Sequence, residues 1–128
     1  MKPRNETEQP FAIQKLGWRY HHLGIPTTEQ RPNERYIPHL KMAVSGFPSS
    51  EFGIEWMRFE PDSPVHPLIQ HVPHLAFVVD DLETALRERI LLSPPSEPMH
   101  GIRVAMIEEN GAPIELLEFG GSNAPQGR

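Results

Sequence analysis

One order of segments occurs twice in this chain, and that repetition limits what it can fold into more than any other feature. The first copy opens with Tyr20-His21-His22-Leu23-Gly24-Ile25-Pro26, the second with Pro73-His74-Leu75-Ala76-Phe77-Val78-Val79. Setting His22-Leu23-Gly24-Ile25 against His74-Leu75-Ala76-Phe77 matches a histidine, a leucine, a small residue and a large apolar one. Further along, Gly53-Ile54-Glu55-Trp56-Met57-Arg58-Phe59 aligns with Pro113-Ile114-Glu115-Leu116-Leu117-Glu118-Phe119, both reading Ile-Glu-x-x-x-Phe. A histidine strand followed by a glutamate strand therefore appears twice. Two units are too few for a solenoid and imply a duplicated module packed on itself.

The second copy shows its local structure most openly. Residues 74–79 have the length and the Val/Phe content of a buried strand. The period then changes: Leu82, Ala85, Leu86 and Ile90 fall on one helical stripe, which predicts a helix over 81–90. Asp80 followed by Glu83 reads as a capping-box-like start.

This pattern resembles the vicinal oxygen chelate superfamily, which includes glyoxalase I, methylmalonyl-CoA epimerase, extradiol dioxygenases and bleomycin resistance proteins. The resemblance spans about residues 17–119. It implies an α+β fold in which two βαβββ modules in tandem form a curved mixed sheet around a metal and substrate cup. The whole chain, 1–128, then forms one domain, with a first module at 17–60, a linker at 61–72, a second module at 73–119 and a mobile tail at 120–128. Carried over residue by residue, it names His22, Glu55, His74 and Glu115 as metal ligands, with Glu55 and Glu115 as candidate catalytic bases.

The residues themselves are compatible with that assignment. Side chains alternate across a strand, so each of the four opposes its apolar neighbours and projects away from the face they pack. A buried carboxylate is costly unless paired or bound to a cation. Two imidazoles and two carboxylates suit a divalent Zn, Ni, Co, Mn or Fe ion. Singly, a strand histidine is more often a hydrogen-bonded core or surface residue, and a strand glutamate usually lies on a solvated face. Their repetition at corresponding positions argues for a shared role.

Composition removes several alternatives. The chain has no cysteine, so disulfides, thiolate metal sites and thiol nucleophiles are excluded together. A formal net charge of −5, spread along the chain, leaves no basic footprint for nucleic acid. No apolar run approaches the ~20 residues of a membrane span, and the N-terminus lacks a signal peptide's apolar segment, so a cytoplasmic protein acting on a small molecule is expected. Equivalent modules with exposed sheet edges favour a homodimer.

In chain order, Phe11–Leu16 reads as an edge strand or a lead-in that covers the sheet, and Tyr20–Ile25 as a strand closed by Pro26. Pro32 and Pro38 interrupt Thr27–Leu40, where a short or irregular helix near Thr28–Tyr36 is expected. Lys41–Val44 and Phe52–Phe59 read as strands, and Ser93–Pro98 as a loop. Asn110-Gly111 marks a hairpin between Ile102–Ile107 and Ile114–Phe119.

Further candidates have plainer readings. His21 should face away from His22, and His66, His71 and His100 lie in loops. Lys41, Arg35, Arg58 and Arg103 could hold a substrate carboxylate or phosphate, with solvated surface charge as the default. Met57, Met106 and Leu117 line a pocket or fill the core, and Trp56 and Phe59 read as core.

Three functions follow. The first is a metal-dependent lyase or isomerase of the glyoxalase/epimerase type, acting on a small oxygenated substrate through a metal-bound enediolate. The second is an extradiol-type Fe(II) dioxygenase using His22, His74 and Glu115, which the extra carboxylate of Glu55 fits poorly. The third is a metal-free binding or resistance module, against which the presence of all four ligand types argues.

Overall fold

A computed structural model describes residues 2–120; the tail expected to be mobile lies, beyond Gly120, outside the described residues. The fold is α+β, built on one curled, mixed sheet of eight strands. In chain order the elements are α1 (Phe11–Gln14), β1 (Arg19–Pro26), β2 (Arg35–Ile37), β3 (Met42–Ser45), β4 (Ile54–Phe59), α2 (Pro67–His71), β5 (His74–Val78), α3 (Leu82–Leu86), β6 (Ile90–Met99), β7 (Ile102–Glu109) and β8 (Ala112–Phe119). Short 3-10 turns occupy Pro38–Leu40 and Phe47–Ser49.

The spatial order β2-β3-β4-β1-β5-β8-β7-β6 is a palindrome of two four-stranded halves. Each histidine strand runs parallel to its glutamate strand, β1 with β4 and β5 with β8. The halves join where β1 meets β5 antiparallel, with His22 opposite Ala76, Leu23 opposite Leu75 and Gly24 opposite His74. A local twofold thus passes through the Leu23–Leu75 pair.

Register fixes the faces, because residues opposite one another in a ladder share a face and neighbours along a strand do not. Phe77, Leu116, Ala105 and Ile107 take the outer face, where Trp18, Val79, Leu82 and Ala85 complete the main core. Leu82 and Leu116 are fully buried, each burial stabilising by roughly 1.5–3 kcal/mol. Helices α1 and α3 supply Ala12, Ile13, Leu82, Ala85 and Leu86 to that core. The inner face carries the histidines and glutamates, flanked by a smaller cluster of Met42, Val44 and Met57 against which Phe59 packs.

Several local expectations are corrected. The helix expected over 81–90 ends at Leu86, and Glu88 adopts a left-handed φ of 58°. Ile90 and Leu91 instead join the ladder opposite Glu108 and Ile107, so strand pairing overrides the helical period. The expected capping box does not form, since no N-cap side chain bonds the backbone at the start of α3. Asp81 is the N-cap and accepts a hydrogen bond from the Thr84 hydroxyl, while Glu83 pairs with Arg103.

Residues 93–98, expected as a loop, belong to the edge strand β6. Pro94, Pro95 and Pro98 are tolerated there because an edge strand need not donate outward. No helix forms over 28–36. The segment runs through bends and a turn at Pro32–Asn33, and is tied down by Glu34, which accepts two hydrogen bonds from Arg58 at 2.7 and 2.8 Å, and by Arg31, 4.5 Å above the Trp56 ring. Phe11–Gln14 is a helical lead-in rather than a strand. The proline-rich 61–72 segment contains α2, capped by the His66 ring, which accepts from the Leu68 N–H at 3.0 Å. At the hairpin, Asn110 and Gly111 both take positive φ, as a two-residue primed turn requires.

Among the described residues, no helix is long and apolar enough to cross a membrane.

Candidate metal centre

Strand register brings the repeated residues together. His22 lies one strand from Ala76, which lies opposite Glu115; by the mirrored relation His74 lies one strand from Gly24, which lies opposite Glu55. All four side chains therefore rise from the inner face around the local twofold.

Three donor atoms converge most closely. His22 Nε2 and His74 Nε2 are 3.3 Å apart, and Glu115 Oε1 lies 3.2 Å from the first and 3.1 Å from the second. Glu55 Oε1 stands just outside this triangle, 3.6 Å from His22 Nε2. A single ion bound at about 2.0–2.1 Å holds adjacent donors about 2.8–3.4 Å apart, from octahedral to tetrahedral geometry. The triangle of His22, His74 and Glu115 matches that spacing, and its nitrogen and oxygen donors suit a first-row divalent ion.

Burial sharpens the electrostatics. His22 and His74 are only 5% and 4% exposed, while the glutamate side chains keep about a fifth of their surface. Burial works against ionisation of Glu115, but hydrogen bonds from His22 and His74 outweigh it and hold its carboxyl far below the ordinary value. Burial likewise opposes protonation of His22, yet the hydrogen bond to Glu115 and the charges of Glu115 and Glu55 raise its pKa. Glu55 behaves oppositely to Glu115. Burial pushes its pKa up, and the charge of Glu115 adds to that.

The two histidines are held by different means. His74 lies across Gly24, where a Cβ would stand 2.2 Å from Cε1, and its buried Nδ1 has no hydrogen-bond partner among the described residues. His22 Nδ1 instead sits 2.7 Å from His21 Nδ1.

His21 corrects an expectation, since alternation should have turned it away. A β-bulge between Tyr20 and His22 breaks the alternation. The ring stacks on Phe47 at 5.1 Å and lies 5.9 Å from Phe119. Gly53 backs the bulge, with a φ of 77° and room for no Cβ beyond 3.0 Å from the His21 carbonyl oxygen.

The other candidates separate clearly. His66 caps α2, His71 bonds the Pro67 carbonyl, and His100 lies 3.7 Å from Glu97 on the surface. Lys41 pairs with Asp62, Arg58 with Glu34, and Arg103 with Glu83 and Glu118. Arg35 differs: its strand position opposite Val44 places it on the inner face, its charge is felt at Glu55, and its guanidinium has no hydrogen bond or ion pair among the described residues. Met106 stands opposite Glu115 on the inner face, and Met57 fills the smaller cluster. Trp56 is half-buried on the outer face under Arg31.

No known protein family's sequence profile matches the chain, and no curated protein matches it. Solved structures do. A hypothetical protein from Bacillus halodurans C-125 is similar over 84% of this chain and 99% of its own, with a TM-score of 0.60 and 17% identity. Methylmalonyl-CoA epimerase from Mycobacterium tuberculosis is similar over 80% of this chain and 89% of its own, with a TM-score of 0.55 and 20% identity. At these identities the likeness is one of fold.

Proposed function

We propose that this chain is a vicinal oxygen chelate protein of the glyoxalase/epimerase kind, moving a proton at a carbon beside a carbonyl in a small oxygenated substrate. The observation that carries this reading is a three-donor triangle with a second, half-buried carboxylate just outside it. His22, His74 and Glu115 would hold the divalent ion. When bound, such an ion supplies Lewis-acid polarisation of the substrate carbonyl.

The remaining chemistry falls to the protein. Glu55 takes the proton from carbon onto a carboxylate oxygen, and the electron pair left behind spreads onto the carbonyl oxygen. Delivery of a proton to the neighbouring carbon gives the isomer, and delivery to the same carbon from the opposite face gives the epimer. Partial desolvation makes Glu55 a stronger base than an exposed glutamate. Arg35, on the same face, is placed to take an anionic group of the substrate, a carboxylate or phosphate. The fold shared with an epimerase supports isomerase chemistry of this general type.

A second reading has one observation in its favour. Two histidines and one carboxylate, with Glu55 outside the set, also describe the ligand triad of Fe(II) oxygenases. The objection that a fourth ligand would crowd the iron is thereby weakened.

The homodimer remains part of the proposal. Its edges are guarded, β2 being three residues long and β6 broken by prolines, so sedimentation is the test of association.

The deciding experiment is to titrate the protein with Co(II) or Zn(II) and incubate the loaded form in D2O with 2-oxo and hydroxy-carbonyl acids. The isomerase reading expects loss of the proton signal beside the carbonyl, abolished in Glu55→Gln with the metal retained. Oxygen uptake with Fe(II) and a catechol, without such exchange, would favour the dioxygenase. A chain that binds no divalent ion is a metal-free binding module.

A further inference from the structure

The bulge in β1 is where the two halves of the molecule stop being alike. Aligned on their histidines, Tyr20-His21-His22 corresponds to Val72-Pro73-His74. The second half has a proline where the first has His21, and β5 carries no bulge at that point. The consequence shows in the rings: His74 Nδ1 is buried without a partner, whereas His22 Nδ1 lies 2.7 Å from His21 Nδ1.

We propose that His21 is a positioning residue for the candidate metal centre, accepting a hydrogen bond from His22 Nδ1–H and so keeping the Nε2 of His22 free for a cation. The inference rests on the metal-binding reading of the site.

Two ring nitrogens 2.7 Å apart must share one proton, and its owner decides what His22 can do. If His21 donates, neutral His22 carries its own proton on Nε2 and cannot ligate through it. If His22 donates, its Nε2 lone pair points at the triangle formed with His74 and Glu115. Ligation through Nε2 requires the second arrangement, because a neutral imidazole that gives one nitrogen to a cation keeps its proton on the other. The carboxylates of Glu115 and Glu55 lie 3.2 and 3.6 Å from His22 Nε2, so that nitrogen faces the donor set while Nδ1 faces His21. An ion held at Nε2 would leave the remaining proton on His22 Nδ1, aimed at His21 Nδ1 2.7 Å away. Outer partners of metal-binding histidines fix tautomer and ring orientation in this way.

The bulge is itself fixed from outside the strand. The Leu23 N–H donates to the Gly53 carbonyl at 2.8 Å, and a Cβ on Gly53 would stand 3.0 Å from the His21 carbonyl oxygen at a φ of 77° that strains any other residue. Phe47 stacks on the His21 ring at an interplanar angle of 18°.

The test separates the hydrogen bond from the packing. His21→Phe keeps a ring against Phe47 and removes the acceptor; His21→Asn places an amide oxygen near where Nδ1 stood. Long-range 15N–1H spectra of the metal-free proteins report the protonation pattern of His22, and Co(II) titration reports affinity. The expected result is a proton on His22 Nδ1 in the wild type, a changed pattern in His21→Phe with affinity weakened about 10–100-fold, and recovery of both in His21→Asn. An unchanged His22 pattern in a folded His21→Phe protein overturns the inference, as does unchanged Co(II) affinity beside a wild type that binds. If the wild type binds no Co(II), the metal reading itself has failed, and the imidazole spectra alone decide the role of His21.

Discussion

His74 lies across Gly24 so closely that a methyl group there would stand 2.2 Å from its Cε1 and 2.7 Å from its Nδ1. The mirrored position under His22 is Ala76, fully buried with its methyl group accommodated. Gly24→Ala is therefore expected to destabilise the fold by about 1–3 kcal/mol, as overpacking does. It should also push His74 Nε2 out of the donor triangle. Urea unfolding measures the first effect and Co(II) titration the second. Wild-type stability would mean the ring moves freely, and that Gly24 does not hold it.

The inner face was legible because alternation and repetition are both written in the sequence. His22 and His74 each stand two residues before a small one, and Glu55 and Glu115 each lie between apolar ones, so the two-residue period settles their side. The bulge was not legible: His21 is turned by Gly53, more than thirty positions away, and no local period records such a contact. Nor was the end of α3, since Ile90 completes a helical stripe but gains more by joining β7. Pro94 and Pro95 read as a loop because their tolerance depends on β6 being the edge. The missing helix over 28–36 was half-visible. Pro32 spoiled the helix, but the anchoring of Glu34 by Arg58 joins residues 24 positions apart.

The two glutamates should separate by experiment. Glu115 bonds both histidines, so Glu115→Gln is expected to cost most of the metal affinity. Glu55→Gln should retain the metal and lower proton exchange by about 10²–10⁴-fold, the usual worth of a general base. Calorimetric titration and deuterium wash-in distinguish them. Equal behaviour of the two variants in both measurements would remove the division of labour.

Without an ion, the inner face must hold two carboxylates beside two histidines, and a bound cation stabilises the native state by mass action. At a free concentration one hundred times Kd, the gain is about 2.7 kcal/mol. EDTA should then lower Tm by on the order of 10 °C. His74→Ala should lose most of that sensitivity. Differential scanning calorimetry with and without chelator checks both, and an unchanged wild-type melting curve would count against the metal.

Away from the site, Glu34 offers a pH signature. The hydrogen bond from Arg58 lowers its pKa below the ordinary 4.5. A depressed carboxyl stabilises the fold fully above its unfolded pKa and loses that contribution as pH falls through the folded one. Glu34→Gln should therefore melt below wild type at pH 7, and the gap should close on acidification past 4.5. A gap that stays constant would assign the effect to packing, not charge.

Arg35 supplies the last expectation, because its charge reaches the base that the proposed reaction uses. Burial raises the pKa of Glu55, and the positive charge of Arg35 works in the opposite direction. An anionic group arriving on Arg35 would cancel that opposing field, so the carboxylate becomes more basic as substrate binds. A charge-assisted hydrogen bond of about 1.5–3 kcal/mol corresponds to roughly 10–150-fold in binding. Arg35→Met should accordingly raise KM by that factor for substrates bearing a carboxylate or phosphate. Their neutral esters should be nearly indifferent to the change, and metal affinity should stay at the wild-type level. Steady-state kinetics on matched acid and ester pairs make the comparison. Equal loss on both members would show Arg35 shaping the face without reading charge.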